Sequence, residues 1–507
     1  LMEMILSDGT ILLFCIINLK LYIVDENDGS LTEIGTLNMN NPGYCFFQDK
    51  MYIVDGDKFW VFGEYDYDTS DGTVTIATDD IVLNYPASSG GGTANYFYKA
   101  KSALGSTNLA TENYANTTNW EEVTQVAGII PNVLQEVEPN VAAGVDLDPI
   151  KRCDKIIWHP ASYRFFASGD SENQAALYYS EASDATNFQA TSIMYPIMSM
   201  GPMVTLFNIL EAVVCGYRYG WMVWNGVDTT TDVYWKRIPI PVGPISNDVV
   251  DLTPSSVTFE SNDGVWTINP AIMTDYNSVI SSGNEVYNLS GKKIENIIGG
   301  MNSEVTLNKS CYYQDKYFLA YRSGGAGSRN NYVVVMDWQK RAWVKIEGWQ
   351  VNCWLVRRNG DLLFGSKNYI LKAFEGLTDI DVDTGNAKAI SSYVETKPYD
   401  LDAFAMKLAK YFYISMAETT AQMTVTVYSG YAWEQFTLNV DTSSFEWGGT
   451  WGGSWGTTDI IDRIAALKLE GTRFKVVFED STINTSLAVG MFGFDYEILN
   501  TRKFTEV

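Results

Sequence analysis

Lys20-Leu21-Tyr22-Ile23-Val24-Asp25 is followed thirty positions later by Lys50-Met51-Tyr52-Ile53-Val54-Asp55. The lead-in Gln48-Asp49-Lys50-Met51-Tyr52 returns far downstream as Gln314-Asp315-Lys316-Tyr317-Phe318. An apolar strand core, an aspartate and a glycine-bearing turn, recurring at tens of residues, mark a chain assembled from similar antiparallel units. Around the first two copies, Leu21 to Val24, Met51 to Val54 and Phe59 to Phe62 are separated by the turn signals Asp28-Gly29 and Asp55-Gly56. Strand, polar turn and strand at that spacing describe hairpins.

The same rhythm fills residues 150 to 400. Ile156-Ile157-Trp158, Arg164 to Ala167 and Leu177 to Ser180 read as successive strands. So do Val213 to Tyr217, Gly220 to Asn225, Ser256 to Phe259 and Val265 to Ile268. Lys316 to Tyr321, Asn331 to Asp337, Ala342 to Ile346, Asp361 to Phe364 and Tyr369 to Phe374 complete the series. Four short strands per repeat cannot bury both faces of their own sheet, so such sheets pack radially as propeller blades, here roughly five to seven.

Two stretches break the pattern. Residues 64 to 150 are rich in Thr, Asn, Asp and Gly around Ser88-Ser89-Gly90-Gly91-Gly92, with strand signals at Tyr96 to Lys101 and Asn119 to Val123. They read as a small β domain inserted after the first propeller strands (1–63), or as a long surface excursion. Residues 401 to 507 alternate apolar and polar at Lys410 to Ser415, Met423 to Tyr428, Arg473 to Phe478 and Gly490 to Ile498. That period of two predicts a closing β-sandwich-like domain, with Phe492, Phe494 and Tyr496 on one face. The fold class expected is therefore all-β: a β-propeller (151–400) with an inserted small β domain and a C-terminal sandwich.

Composition agrees. Of 507 residues, 46 % are hydrophobic and 14 % aromatic, with 31 Tyr and 15 Trp, a balance that suits pleated, half-buried surfaces. The net charge of −26 repels phosphate, which disfavours adhesive nucleic-acid binding and suits either solubility or a wall past which DNA must slide. Cys15, Cys45, Cys153, Cys215, Cys311 and Cys353 are scattered with no C-x-x-C pair, and read as small hydrophobes in a reducing compartment. The longest apolar run, Ile11 to Ile17, is far short of a membrane span, and Glu3 and Asp8 oppose a signal peptide. Leu1 opens in mid-pattern, so residues upstream of it are an expected part of the propeller's closure.

Chemistry-bearing motifs are sparse. One histidine, His159, excludes multi-histidine metal sites and reads as a hydrogen-bonded structural residue at a strand end. Asp379-Ile380-Asp381-Val382-Asp383-Thr384-Gly385 resembles the start of a calcium loop, but its glycine stands one place late and Ile390 takes the place of the closing glutamate. Alternation offers another reading, with Ile380 and Val382 inward and the aspartates guarding an edge. Gly324-Gly325-Ala326-Gly327-Ser328 lacks the end of a P-loop and reads as a hairpin loop. Ser261-Asn262-Asp263-Gly264-Val265-Trp266 approaches the turn of sialidase-like propellers, and 61 carboxylates leave room for a glycosidase pair. No catalytic residue, cofactor or metal is expected. Trp447, Trp451 and Trp455 on a glycine loop are candidates for a partner surface, or for a loop folded over its own sheet.

Three stretches resemble the β-propeller tail proteins of short-tailed bacteriophages, called nozzle, tail-hub or stabilisation proteins. They are Leu177 to Phe188, Gly243-Pro244-Ile245-Ser246 running on to Ser256 to Ile268, and Lys99-Ala100-Lys101 with Asn108 to Thr111 and Asn119-Trp120. The resemblance implies a non-enzymatic virion component, assembled in the host cytoplasm as a homo-oligomeric ring, a hexamer. It also implies contacts to portal or adaptor and tail-fibre proteins, with double-stranded DNA retained in and released through an acidic channel without specific binding, and no membrane insertion. The competing expectation is a propeller that binds or cleaves host-surface glycans.

Overall fold

A computed structural model describes residues 1–499 apart from 127–129, 141–143, 196–199, 210, 225–234, 239, 241, 254–255, 270–285, 292–293, 295, 298–307, 324–329, 368, 377, 402–404, 418–421, 431, 440–459 and 483–488. Of the described residues 54 % are strand and 4 % helix, so the fold is all-β as expected. The chain divides into two compact units, Leu1–Ser366 with Ile370–Ala373, and Lys367–Tyr369 with Phe374–Val507.

Among the described residues, and apart from the insertion after Phe62, seven antiparallel sheets run through the first unit. They begin at Met2–Ile5, Gly43–Phe47, Lys155–His159, Met203–Ile209, Val250–Thr253, Lys309–Tyr313 and Cys353–Val356. From each of these the strands follow outward in chain order, four to a sheet and three in the seventh. The repeated sequence falls on hairpin turns. Asn18-Leu19, Gln48-Asp49 and Gln314-Asp315 each place two successive residues at positive φ (51° and 68°, 51° and 60°, 45° and 58°). Two left-handed residues make the type I′ geometry whose twist matches the flanking strands. The recurrent Gln-Asp-Lys is thus the mark of a tight two-residue hairpin made without glycine.

Packing shows why the second and third strands read as unbroken apolar runs. In the sixth sheet Tyr317, Leu319 and Tyr321 pack with Val249 and Val265 of the fifth. Phe318 and Ala320, pointing the other way, pack with Leu362 and Phe364 of the seventh. In the fourth sheet Val213, Cys215 and Tyr217 face Phe166 and Leu177 of the third, while Val214 faces Val257 and Phe259 of the fifth. Met51 and Ile53 of the second sheet meet Met4 and Phe14 of the first, and Tyr52 and Val54 meet Phe165 and Ala167 of the third. The second to sixth sheets are each buried on both faces, one face per neighbour, which is the packing of propeller blades.

Blade seven returns to blade one. Arg357, at the end of strand Cys353–Val356, holds Glu3 at 2.9 Å and Glu26 at 2.6 Å, and the Arg358 N–H donates to Glu3 at 2.9 Å. These contacts tie the first sheet to the seventh, which has three strands among the described residues. Blades two and three approach closely at Gly43, where a Cβ would lie 2.5 Å from Lys155 Cα and 2.7 Å from the Asp154 carbonyl oxygen. Gly43→Ala is expected to destabilise the propeller by about 1–3 kcal/mol. Urea unfolding checks this, with Gly493→Ala as a control because its Cβ would meet nothing within 4 Å.

Two expected boundaries are corrected. The insertion does not run to 150: strand Leu134–Glu136 pairs with Phe59–Phe62 as the outermost strand of blade two. Val137, Leu147 and Ile150 then fill the core between blades two and three, so these residues belong to the propeller. The inserted module before them has its own sheet, from Tyr67–Asp68 to Trp120–Val123, around Val82, Tyr98, Tyr114 and Trp120. Likewise the C-terminal unit starts at Phe374 and not at 401. It opens with the hairpin Thr378–Ile380 and Ala387–Ala389, and strand Ser392–Glu395 joins its first sheet beside Lys475–Asp480. That sheet continues with Gln422–Tyr428 and Trp433–Asn439 and packs on a second one of Ile460–Gly471, Lys407–Ala417 and Val489–Ile498. Among the described residues, no helix is long and apolar enough to cross a membrane.

Candidate functional site

His159 ends the first strand of blade three and is fully buried between Phe166 and Trp224. Its Nδ1 accepts from the Ser162 backbone N–H at 3.3 Å and lies 2.7 Å from the Ser162 hydroxyl, so the proton sits on Nε2, which donates to the Glu211 carbonyl at 3.1 Å. Burial lowers its pKa. Both nitrogens are spent on holding a turn, and the partner of Nε2 is a carbonyl where a nucleophile triad would place a carboxylate.

The aspartate-rich segment forms a turn. Asp381 accepts from the Asp383 N–H at 2.9 Å, its carbonyl accepts from the Gly385 N–H at 2.7 Å, and Asp383 pairs with Lys367 at 2.7 Å. Val382 is buried, but Ile380 is 43 % exposed, which corrects the expectation that both point inward. The turn at Asp381 interrupts the alternation that would have aligned them. Among the described residues no group of three or more His, Cys, Asp or Glu side chains is placed to hold a metal ion. All six cysteines are free thiols, five of them buried and Cys353 partly so. Trp447, Trp451, Trp455 and the Gly324–Ser328 loop lie outside the described residues.

The propeller axis is the next candidate, because the first strands of the blades lie against one another around it. The loop before Gly43–Phe47 sends Asn41 across to Asp248, with its amide donating to the carboxylate at 2.7 Å. Asp248 precedes blade five, which is not a neighbour of blade two, so this bond spans the axis. Lys309 of blade six pairs with the same carboxylate at 2.5 Å. Tyr44 is 39 % exposed, yet enclosure by the surrounding protein pushes its phenol pKa up. Lys155 pairs with Asp154, and Glu3 with Arg357. The axis of one subunit is thus crossed by a hydrogen bond, and the carboxylates named there are paired with Lys309, Lys155 and Arg357. The inserted module is poor in cations: residues 64–133 carry nine carboxylates against Lys99 and Lys101.

Two carboxylates that the sequence reading missed lie between blades five and six. Glu260 is 3 % exposed and accepts from the Asn308 amide, 2.9 Å from each carboxylate oxygen. Asp251 accepts from the Ser310 hydroxyl. Burial raises both carboxyls to about 7, with the hydrogen bonds opposing it. The available signal was a lone acid inside each apolar run, Val249-Val250-Asp251-Leu252 and Thr258-Phe259-Glu260. Their hydrogen-bond donors are neutral, so they form a polar seam between blades and supply no paired acid and base facing a cleft.

Comparison with known proteins adds little to this geometry. No family model and no curated protein matches the chain. Among solved structures, Sqt1 of Saccharomyces cerevisiae is similar at 9 % identity and a TM-score of 0.36, over 73 % of this chain and 82 % of that one. A likeness of that depth carries no argument, and the propeller reading rests on the seven sheets and the cores between them.

Proposed function

We propose that the chain is a structural component of a short-tailed bacteriophage tail, non-enzymatic, and assembled with copies of itself into a ring through which the viral DNA is retained and released. The observation that carries the reading is the inserted module. It is a separately cored β unit held between two strands of blade two, and it exposes Asp71, Asp79, Glu121 and Glu122. A wall of fixed carboxylates gives a duplex no site at which to exchange counterions for cations, so DNA slides past without salt-dependent drag. The bond from Asn41 to Asp248 across the propeller axis supports reading that passage as one between subunits. Portal or adaptor and tail-fibre proteins are the partners this reading calls for.

Electron microscopy of assembled particles carrying a label on this chain tests it. The expected result is a ring of labels at the distal tail, coaxial with the portal. Release of sugars from host envelope by the purified chain, abolished by replacing one carboxylate, would overturn it in favour of a glycan-cleaving propeller.

A further inference from the structure

The C-terminal sandwich is closed along one seam and open along the other. At the closed seam the Lys468 N–H donates to the Glu434 carboxylate at 3.2 Å, stitching strand Ile460–Gly471 to strand Trp433–Asn439. At the opposite seam the bounding strands are Ser392–Glu395 and Val489–Ile498, each the last strand of its sheet. Between them lies a cavity of about 660 Å³, lined by Val394, Phe478, Phe492 and Phe494 among others. Register places Val394 opposite Phe478 and Phe478 opposite Val425, which is fully buried, so Val394 is on the inner face of the sandwich. It is nevertheless 57 % exposed, and Val489 at the other edge is 37 % exposed. Inner-face apolar side chains open to water, beside two edges that have no further strand among the described residues, describe a groove that one more strand would cover.

We propose that this seam is an acceptor groove for one extended segment of a partner polypeptide. The segment adds as a strand to the edge Val489–Ile498, six consecutive residues of which, Val489 to Phe494, line the groove. A strand added there lies roughly 4.8 Å from Val489–Ile498 in the plane of that sheet and turns every second side chain toward the facing sheet. The occupant's chemistry follows from the lining. Apolar residues at every second position meet Val394 and the phenylalanines. A basic residue at one end meets Asp480, the one charged residue in the lining and only 6 % exposed. This inference does not depend on the tail reading, since it rests on the second unit alone.

The test uses the full chain and a fluorescent, acetylated hexapeptide, Lys-Val-Thr-Val-Thr-Val. Binding is expected with a Kd of about 100 µM or tighter. It should be lost when alternate amides of the peptide are N-methylated, because the added strand must exchange backbone hydrogen bonds. Val394→Asp should weaken binding by about tenfold or more, while Tyr393→Asp, on the outer face of the same strand, leaves it unchanged. Slower hydrogen exchange at Val489 to Phe494 on adding the peptide to the unmodified chain gives a reading that needs no variant. Three outcomes would each overturn the proposal: no binding, binding indifferent to N-methylation (an apolar pocket only), or unchanged exchange at that edge. None of these bears on whether the chain forms a ring.

Discussion

Arg357→Ala is expected to destabilise the propeller by about 3–5 kcal/mol, the cost of stranding a buried charge. The reason lies in the unequal solvation of its two partners. Glu26 is 44 % exposed and rehydrates when the guanidinium goes. Glu3 is 8 % exposed and keeps only the Arg358 N–H at 2.9 Å. Surface pairs behave differently: Lys20 and Glu33, at 45 % and 43 % exposure, contribute less than about 1 kcal/mol. Denaturant unfolding distinguishes the two cases, and Arg357→Ala with Glu3→Gln should recover part of the loss by removing the stranded charge. If Arg357→Ala unfolds within about 1 kcal/mol of the unmodified chain, these ion pairs do not close the ring.

Glu260→Gln is expected to stabilise the protein above neutral pH and to leave it nearly unchanged in acid. Burial raises the Glu260 carboxyl from its ordinary 4.5 to about 7, so the folded state holds a proton that the unfolded chain has already released. Where the folded state binds more protons, stability falls as pH rises. The contribution is fully present below 4.5, is lost through the interval up to about 7, and is flat beyond it. That interval bounds the gain from removing the titration at about 3 kcal/mol at alkaline pH. Glutamine keeps an oxygen to accept from Asn308, so the change removes the charge and not the hydrogen bond. Asp251→Asn should act in the same direction, since its carboxyl is raised from 3.8 to about 7 by the same cause. Thermal unfolding of variant and unmodified chains across this range checks both, because their difference cancels every other carboxylate. A difference that stays constant with pH would show that folding does not shift the Glu260 carboxyl.

How far the sequence could be read follows from which signals are local. The repeat was legible because Gln48-Asp49 and Gln314-Asp315 sit directly before apolar strands, whereas their role as two-residue turns shows only in their positive φ angles. The middle strands of the blades were legible for the same reason: packing on both faces makes Tyr317 to Tyr321 apolar throughout. Outer strands were not. Ile193–Met194 and Leu134–Glu136 are two and three residues long, with no apolar period. The latter is also separated from its partner Phe59–Phe62 by the whole inserted module. The blade count and the end of the insertion were lost with them. Ser392–Glu395 is exposed at all four positions, so nothing in its pattern assigned it to the C-terminal sandwich. Asp251 and Glu260 were missed because the residues that hold them, Ser310 and Asn308, are 59 and 48 positions away.

The ring is where this reading of the chain is most exposed to failure. Native mass measurement of the purified protein, or of the species released intact from particles, should give a closed oligomer whose mass is an integral multiple of 56.6 kDa, six-fold for a hexamer. A single 56.6 kDa subunit in both preparations would contradict it.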